Sequence, residues 1–221
     1  MTPRPTPAPD PHATHVHDDL LVIGAGAAGL SCALAARGAR VRLITKTRFG
    51  EGGNSPWAQG GVAAAMGEDD SGALHARDTL AAGADLCRAD IVRLLTREAP
   101  ARIRQLIEVG ARFDRDAGGR LALGREAAHS RPRILHANGD ATGAEIVRAL
   151  SVAVRNAAHV TIEDATAVDE LVVVGGRVSG AWTRDAAGRR TLRLARGVVL
   201  ATGGSGQVFL HTTNPPEATG D

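Results

Sequence analysis

Residues 20–23 form an unbroken apolar run, Leu20-Leu21-Val22-Ile23, bounded by Asp18-Asp19 and Gly24. A short continuous run of this kind predicts a parallel strand buried on both faces. Residues 27–37 are strong helix formers and stop at Gly38, and Val41-Arg42-Leu43-Ile44-Thr45 predicts a second strand, which completes a βαβ unit. From 49 to 61 the pattern loses its period, with glycines at 50, 52, 53, 60 and 61, and predicts a loop. Helices are expected over 76–82 and 91–109, the second broken near Pro100. Short strands are expected at 111–114 and 121–123 around Gly118-Gly119, whereas 125–139 is polar, rich in Arg and His, and shows no period. An amphipathic helix follows over 142–157. Strands at 160–163, 167–174, 177–183 and 192–201 come next, the last three separated by turns at Gly175-Gly176 and Ala187-Gly188. The order predicts an α/β fold, Rossmann-like, with a parallel sheet and a β-meander crossover.

Composition narrows the function classes. Hydrophobic residues make up 43 % of the 221, enough for a core. The net charge is only +2, Lys46 is the sole lysine, and no basic run is interleaved with aromatics. A nucleic-acid groove is therefore not expected. No run approaches the roughly 20 apolar residues of a membrane span, and no apolar segment precedes a signal cleavage site, so a cytoplasmic protein is expected. Residues 1–18 carry proline at 3, 5, 7, 9 and 11 and are expected to form a disordered tail, with a single domain over 19–221. His12, His15 and His17 are read as solvated rather than metal-binding, and Cys32 and Cys87 as reduced thiols.

Gly24-Ala25-Gly26-Ala27-Ala28-Gly29 is G-x-G-x-x-G between a predicted strand and a predicted helix, the context the motif requires. Gly24 permits the tight turn, Gly26 clears the approach of a pyrophosphate, and Gly29 lets helix and strand pack closely. The helix N-terminus adds unpaired N–H groups and partial positive charge. The ribose-binding acid of an ordinary NAD site would sit at the end of the second strand, where Ile44, Thr45, Lys46 and Thr47 stand instead. On these residues alone an NADP site stays open. A second glycine cluster follows the last predicted strand, at 202–206.

Asn54-Ser55-Pro56-Trp57-Ala58-Gln59-Gly60-Gly61 resembles the S/H-T-x-x-A-Q-G-G loop of the fumarate reductase, succinate dehydrogenase and L-aspartate oxidase flavoprotein family. Ala201-Thr202-Gly203-Gly204 resembles the A-T-G-G strand end of that family, and Thr213-Asn214-Pro215 with Gly220-Asp221 its T-x-N-P…G-D segment. The resemblance runs from about residue 19 to the last residue. It implies an FAD-binding fold, with cofactor contacts at Gly24, Ala25, Gly26, Ala27, Ala28, Gly29, Lys46, the eight residues from Asn54 to Gly61, Val168, Thr202, Gly203, Gly204 and Asp221. Asn54 stands where respiratory members carry the histidine that bonds covalently to FAD, so the resemblance implies noncovalent FAD.

Leu123-Gly124-Arg125-Glu126-Ala127-Ala128-His129-Ser130 is similar to the L-T-R-E-G-G-H-S motif of the L-aspartate oxidase branch, and Arg133-Ile134-Leu135-His136-Ala137 with Asp140-Ala141-Thr142-Gly143 to its R-R-I-L-H-A…D-A-T-G stretch. The branch's substrate-orienting glutamate falls on Glu126. Arg125 and His129, with Arg131, Arg133 and His136, are candidates to hold substrate carboxylates, since arginine offers a bidentate fork. Ala127-Ala128 replaces a glycine pair, so the loop is expected to be stiffer, and Pro132 and Gly139 alter the adjoining segment.

The implied activity is oxidation of L-aspartate to iminoaspartate with oxygen or fumarate as acceptor, the first step of NAD synthesis, with a quinolinate synthase as possible partner. By the same resemblance no catalytic residue falls within the chain: the family's catalytic arginine is expected downstream of Asp221, along with the capping and helical domains. The FAD fold is thus expected to be incomplete at its C-terminus and inactive alone. The competing readings are a soluble fumarate reductase-like flavoprotein, a non-catalytic FAD-binding module and an NADP-dependent dehydrogenase.

Overall fold

A computed structural model describes residues 15–220. Strand β1 (His15–Ile23), helix α1 (Ala27–Ala35) and strand β2 (Val41–Ile44) form the expected βαβ unit. After a 3-10 turn (Ser55–Trp57) come β3 (Val62–Ala63), α2 (Gly72–Ala82), α3 (Ala89–Glu108), β4 (Leu123–Gly124), β5 (Ile134–Leu135) and α4 (Thr142–Arg155). Strands β6 (Val160–Glu163), β7 (Ala167–Val174), β8 (Arg177–Arg184) and β9 (Arg190–Leu200) complete the main sheet. Its order is β6-β2-β1-β9-β8-β7. The first four strands run parallel, and β7, β8 and β9 form the antiparallel meander.

Alternation along β1 explains why its apolar run is continuous. Val22 faces α1 and α4 and packs with Leu30, Leu43, Val147 and Val154. Leu21 and Ile23 face the other way, onto Ile44 and the meander residues Ala181, Val168 and Leu171. Both faces are dry here, so no polar position interrupts the run from Leu20 to Ile23. A second small sheet, β3-β5-β4, packs Leu135 and Ala64 under Ile103 of α3 and Phe113. It ties the loop around Asn54, which leads into β3, to the segment between β4 and β5.

Four expectations are corrected. The tail does not extend to residue 18: His15–Asp18 continue β1, because β9 has eleven residues and pairs with β1 from His15↔Leu192 onward. Residues 1–14, with His12, lie outside the described residues. Helix α3 is continuous through Pro100. Its apolar stripe, including Val92 and Ile103, is buried on both sides of the proline, and that packing outweighs the one hydrogen bond a proline removes. The expected strand at 111–114 is absent, and only an isolated bridge, Arg115↔Leu121, forms there. The polar stretch at 125–139 does contain an element, β5, whose two residues are too short to leave a period.

Candidate functional site

Three strand ends meet where the glycine turns lie. The Gly24 amide donates to the carbonyl of Ile44 at 2.8 Å, and the Ala201 amide to that of Ile23 at 2.8 Å. The ends of β2, β1 and β9 are thus stitched side by side. A cavity of about 530 Å³ opens above them, within the roughly 300–1,000 Å³ typical of cofactor sites. Gly24, Ala25, Gly26, Ala27 and Ala28 line one wall, Thr202, Gly203 and Gly204 another, and Lys46 and Val168 also face it.

Two glycines of the fingerprint have a steric cause. Gly24 has φ +109° and no room for a side chain against Ala201. A Cβ on Gly29 would meet the Gly24 carbonyl oxygen at 1.8 Å, so helix and strand pack as closely as the motif predicts. Gly29 is buried behind the turn and does not line the cavity. Gly203, with φ +78°, has open space where a Cβ would go.

The loop at 54–61 divides into two parts. Asn54 and Ser55 line the cavity, and the Ser55 hydroxyl accepts the Ala27 amide at 3.2 Å, taking one of the unpaired donors of the α1 N-terminus. Asn54 Oδ1 is buried with no hydrogen-bond partner. Pro56, Trp57, Ala58, Gln59, Gly60 and Gly61 do not line the cavity. Ala58 instead accepts the Gly143 amide at 2.9 Å, and a Cβ on Gly143 would lie 2.0 Å from the Ser55 carbonyl oxygen. Gly61 packs on Ile134 and His136. This half of the loop anchors the site on α4 and β5. Asp221 lies outside the described residues.

The cavity also recruits residues that motif spacing missed: Thr47, Glu51, Gly52, Gly53, Thr166, Asp169, Glu170, Glu217 and Ala218. Positive φ at Gly50, Gly52 and Gly53 turns the chain after β2 back over the cavity and brings Glu51 to its wall. The acid absent from the end of β2 is thus supplied a few residues later. The glycine run 50–53 was the visible signal; its direction was not. Lys46 donates to Thr219 at 2.7 Å, which ties the end of β2 to the last described residues.

The donor set fits a dinucleotide. Backbone N–H groups at a helix N-terminus suit a pyrophosphate, carboxylates such as Glu51 accept from ribose hydroxyls, and Asn54 Oδ1 offers a buried acceptor. Fold and cavity define an α/β dinucleotide-binding domain with two glycine-rich strand ends on one site. A family described as "FAD binding domain" matches residues 19–221, and the chain belongs to it. It is 50 % identical over 212 residues to the L-aspartate oxidase of Streptomyces coelicolor, covering 92 % of this chain and 36 % of that protein. It is 46 % identical over 198 residues to that of Agrobacterium fabrum, covering 90 % and 38 %. Among solved structures, Mycobacterium smegmatis Sdh1 in complex with UQ1 superposes with a TM-score of 0.86 at 35 % identity, over 94 % of this chain and 37 % of that one. An E. coli quinol fumarate reductase FrdA mutant superposes with 0.87 at 29 %, over 92 % and 35 %. The chain therefore spans little more than a third of the length of these relatives.

The candidate substrate residues lie on the segment between β4 and β5, with His136 directly after β5, and none lines the cavity. Glu126 is exposed, with Oε1 4.0 Å from His136 Nε2. Arg125 donates through Nε to the His129 carbonyl at 2.9 Å. Arg131 pairs with Asp69 at 2.9 Å. Arg133 is not available to a substrate: it is fully buried, bidentate to Asp70 at 2.8 Å and paired with Asp78 at 2.8 Å. The sequence shows an arginine in a polar run but not its two aspartates, which lie 63 and 55 residues away. Asp78 also accepts the amide and hydroxyl of Ser130 at 2.8 and 2.6 Å. The Ser130 bonds, followed by Arg133, hold its carboxyl well below the usual range.

Proposed function

We propose that this chain is the FAD-binding portion of an enzyme that oxidises L-aspartate to iminoaspartate, passing the electrons to oxygen or fumarate. The carrying observation is the convergence of the 24–28 and 202–204 turns on one cavity, in a chain up to half identical to L-aspartate oxidases. When bound, FAD supplies the two-electron acceptor for the hydride lost from Cα. The chain's residues then divide the remaining tasks. The turn from Ala25 to Ala28 receives the pyrophosphate at the α1 N-terminus, where the Ala27 amide is already held by Ser55. Gly26, Gly203 and Gly204 clear the approach of the cofactor. Asn54, unable to form a histidyl link, leaves it noncovalent. Ser55 keeps the loop against α1. Glu126 pairs with the substrate ammonium, and Arg125 and His129 stand beside it for the carboxylates. Cytoplasmic location, a place at the head of NAD synthesis and a quinolinate synthase partner belong to the same reading. No helix among the described residues is long and apolar enough to cross a membrane.

The test is the visible spectrum of the full-length protein. L-Aspartate added without oxygen should bleach the flavin bands, and acid precipitation should leave yellow flavin in the supernatant. An unchanged anaerobic spectrum defeats the substrate assignment. The backbone match to quinol fumarate reductase supports a second reading, reduction of fumarate alone. Fumarate turnover with a flavin that L-aspartate never bleaches would select it.

A further inference from the structure

The buried Arg133 makes one contact that its two aspartates do not explain. Its Nε and Nη2 donate side by side to Asp70, both at 2.8 Å. Nη1 donates to Asp78 at 2.8 Å and also faces His129 Nδ1 at 3.2 Å. A guanidinium carries five donors and no acceptor, and it keeps its proton at any pH at which a protein is folded. A ring nitrogen in its hydrogen-bonding direction must therefore be the acceptor. Nδ1 of His129 carries no proton in this arrangement, and the ring proton resides on Nε2.

We propose that Arg133 is a positioning residue that fixes His129 as the neutral Nε2–H tautomer, so that His129 offers one defined donor to a carboxylate of a dicarboxylate substrate. The substrate half of this proposal rests on the L-aspartate reading above. The surroundings hold the same geometry. Arg125 grips the His129 carbonyl, and Asp78 grips Ser130 next to it. The His75 ring lies 5.6 Å from that of His129, tilted by 60°. Burial first, then the charge of Arg133, holds the His75 pKa below the ordinary histidine value. A histidine in an open loop would interconvert between tautomers; this one is held from its backbone and from one ring nitrogen.

The experiment uses the full-length holoprotein with 15N-labelled histidine. Ring nitrogen shifts assigned through His129→Gln should show protonation at Nε2 alone at pH 8. A proton on Nδ1, a doubly protonated ring or a tautomer mixture overturns the proposal. Kinetics test the substrate half without touching the buried arginine. A glutamine amide places its N–H near the position of Nε2, and an asparagine amide near Nδ1. His129→Asn should therefore raise KM for L-aspartate roughly tenfold and His129→Gln several-fold less, with kcat changed less than KM in both. Equal KM increases would remove His129 from the substrate. If L-aspartate never bleaches the flavin, the functional reading fails, while the nitrogen shifts still decide the role of Arg133.

Discussion

A Cβ built on Gly24 would lie 2.2 Å from the carbonyl oxygen of Ala201. The first glycine of one turn and the residue that follows β9 and leads into the second turn are therefore in backbone contact across 177 residues of sequence. Gly24→Ala must open that contact and also hold alanine at φ +109°. Positive φ and overpacking together should lower stability by about 2–4 kcal/mol. The urea midpoint of the full-length protein measures this, and the variant should purify without flavin. Gly203→Ala is the contrast. Its Cβ meets nothing within 4 Å, so only the left-handed φ of +78° opposes the alanine, at about 1–2 kcal/mol of stability, and the change should act mainly on flavin affinity. Equal stability losses in the two variants would contradict the packing described.

Ser55→Ala removes the hydroxyl that accepts the Ala27 amide. A lost cap of this kind costs about 0.5–2 kcal/mol. Because the loop also lines the cavity, flavin affinity should fall as the thermal midpoint falls. Titration of the apoprotein with FAD reads the first effect and calorimetry the second.

Ala128 holds φ +69°, in the left-handed region, where the related motif has glycine. Strain there is worth about 1–2 kcal/mol, and glycine gives back about half through its freer unfolded chain. Ala128→Gly should therefore stabilise the protein by about 0.5–1 kcal/mol. A lower urea midpoint in the variant would mean that the loop does not carry this strain.

Asp78 links stability to acid pH. Its carboxyl lies below its usual value near 3.8, held there by Ser130 and Arg133. A depressed carboxylate contributes stability that is fully present above its unfolded pKa and is lost as pH falls toward its folded one. Asp78→Asn should be clearly less stable than the parent at pH 7, and the gap should narrow below about pH 4. Urea midpoints at pH 7, 5 and 3 decide it; a gap that widens on acidification has the wrong sign.

The sequence determined the local half of this protein by itself. The apolar run at Leu20 to Ile23, the stop at Gly38 and the spacing of Gly24, Gly26 and Gly29 are set by neighbours a few residues apart, and periodicity and backbone sterics suffice to read them. Only the tertiary structure decided the rest. It extended β1 back to His15 because β9 offered backbone partners, and it carried α3 through Pro100 because its apolar face was buried. It brought Glu51 to the cavity wall through three left-handed glycines and withdrew Arg133 into a pair of distant aspartates. Hydrogen bonds and ion pairs reward proximity in space, and a chain pattern records proximity only between residues close in sequence.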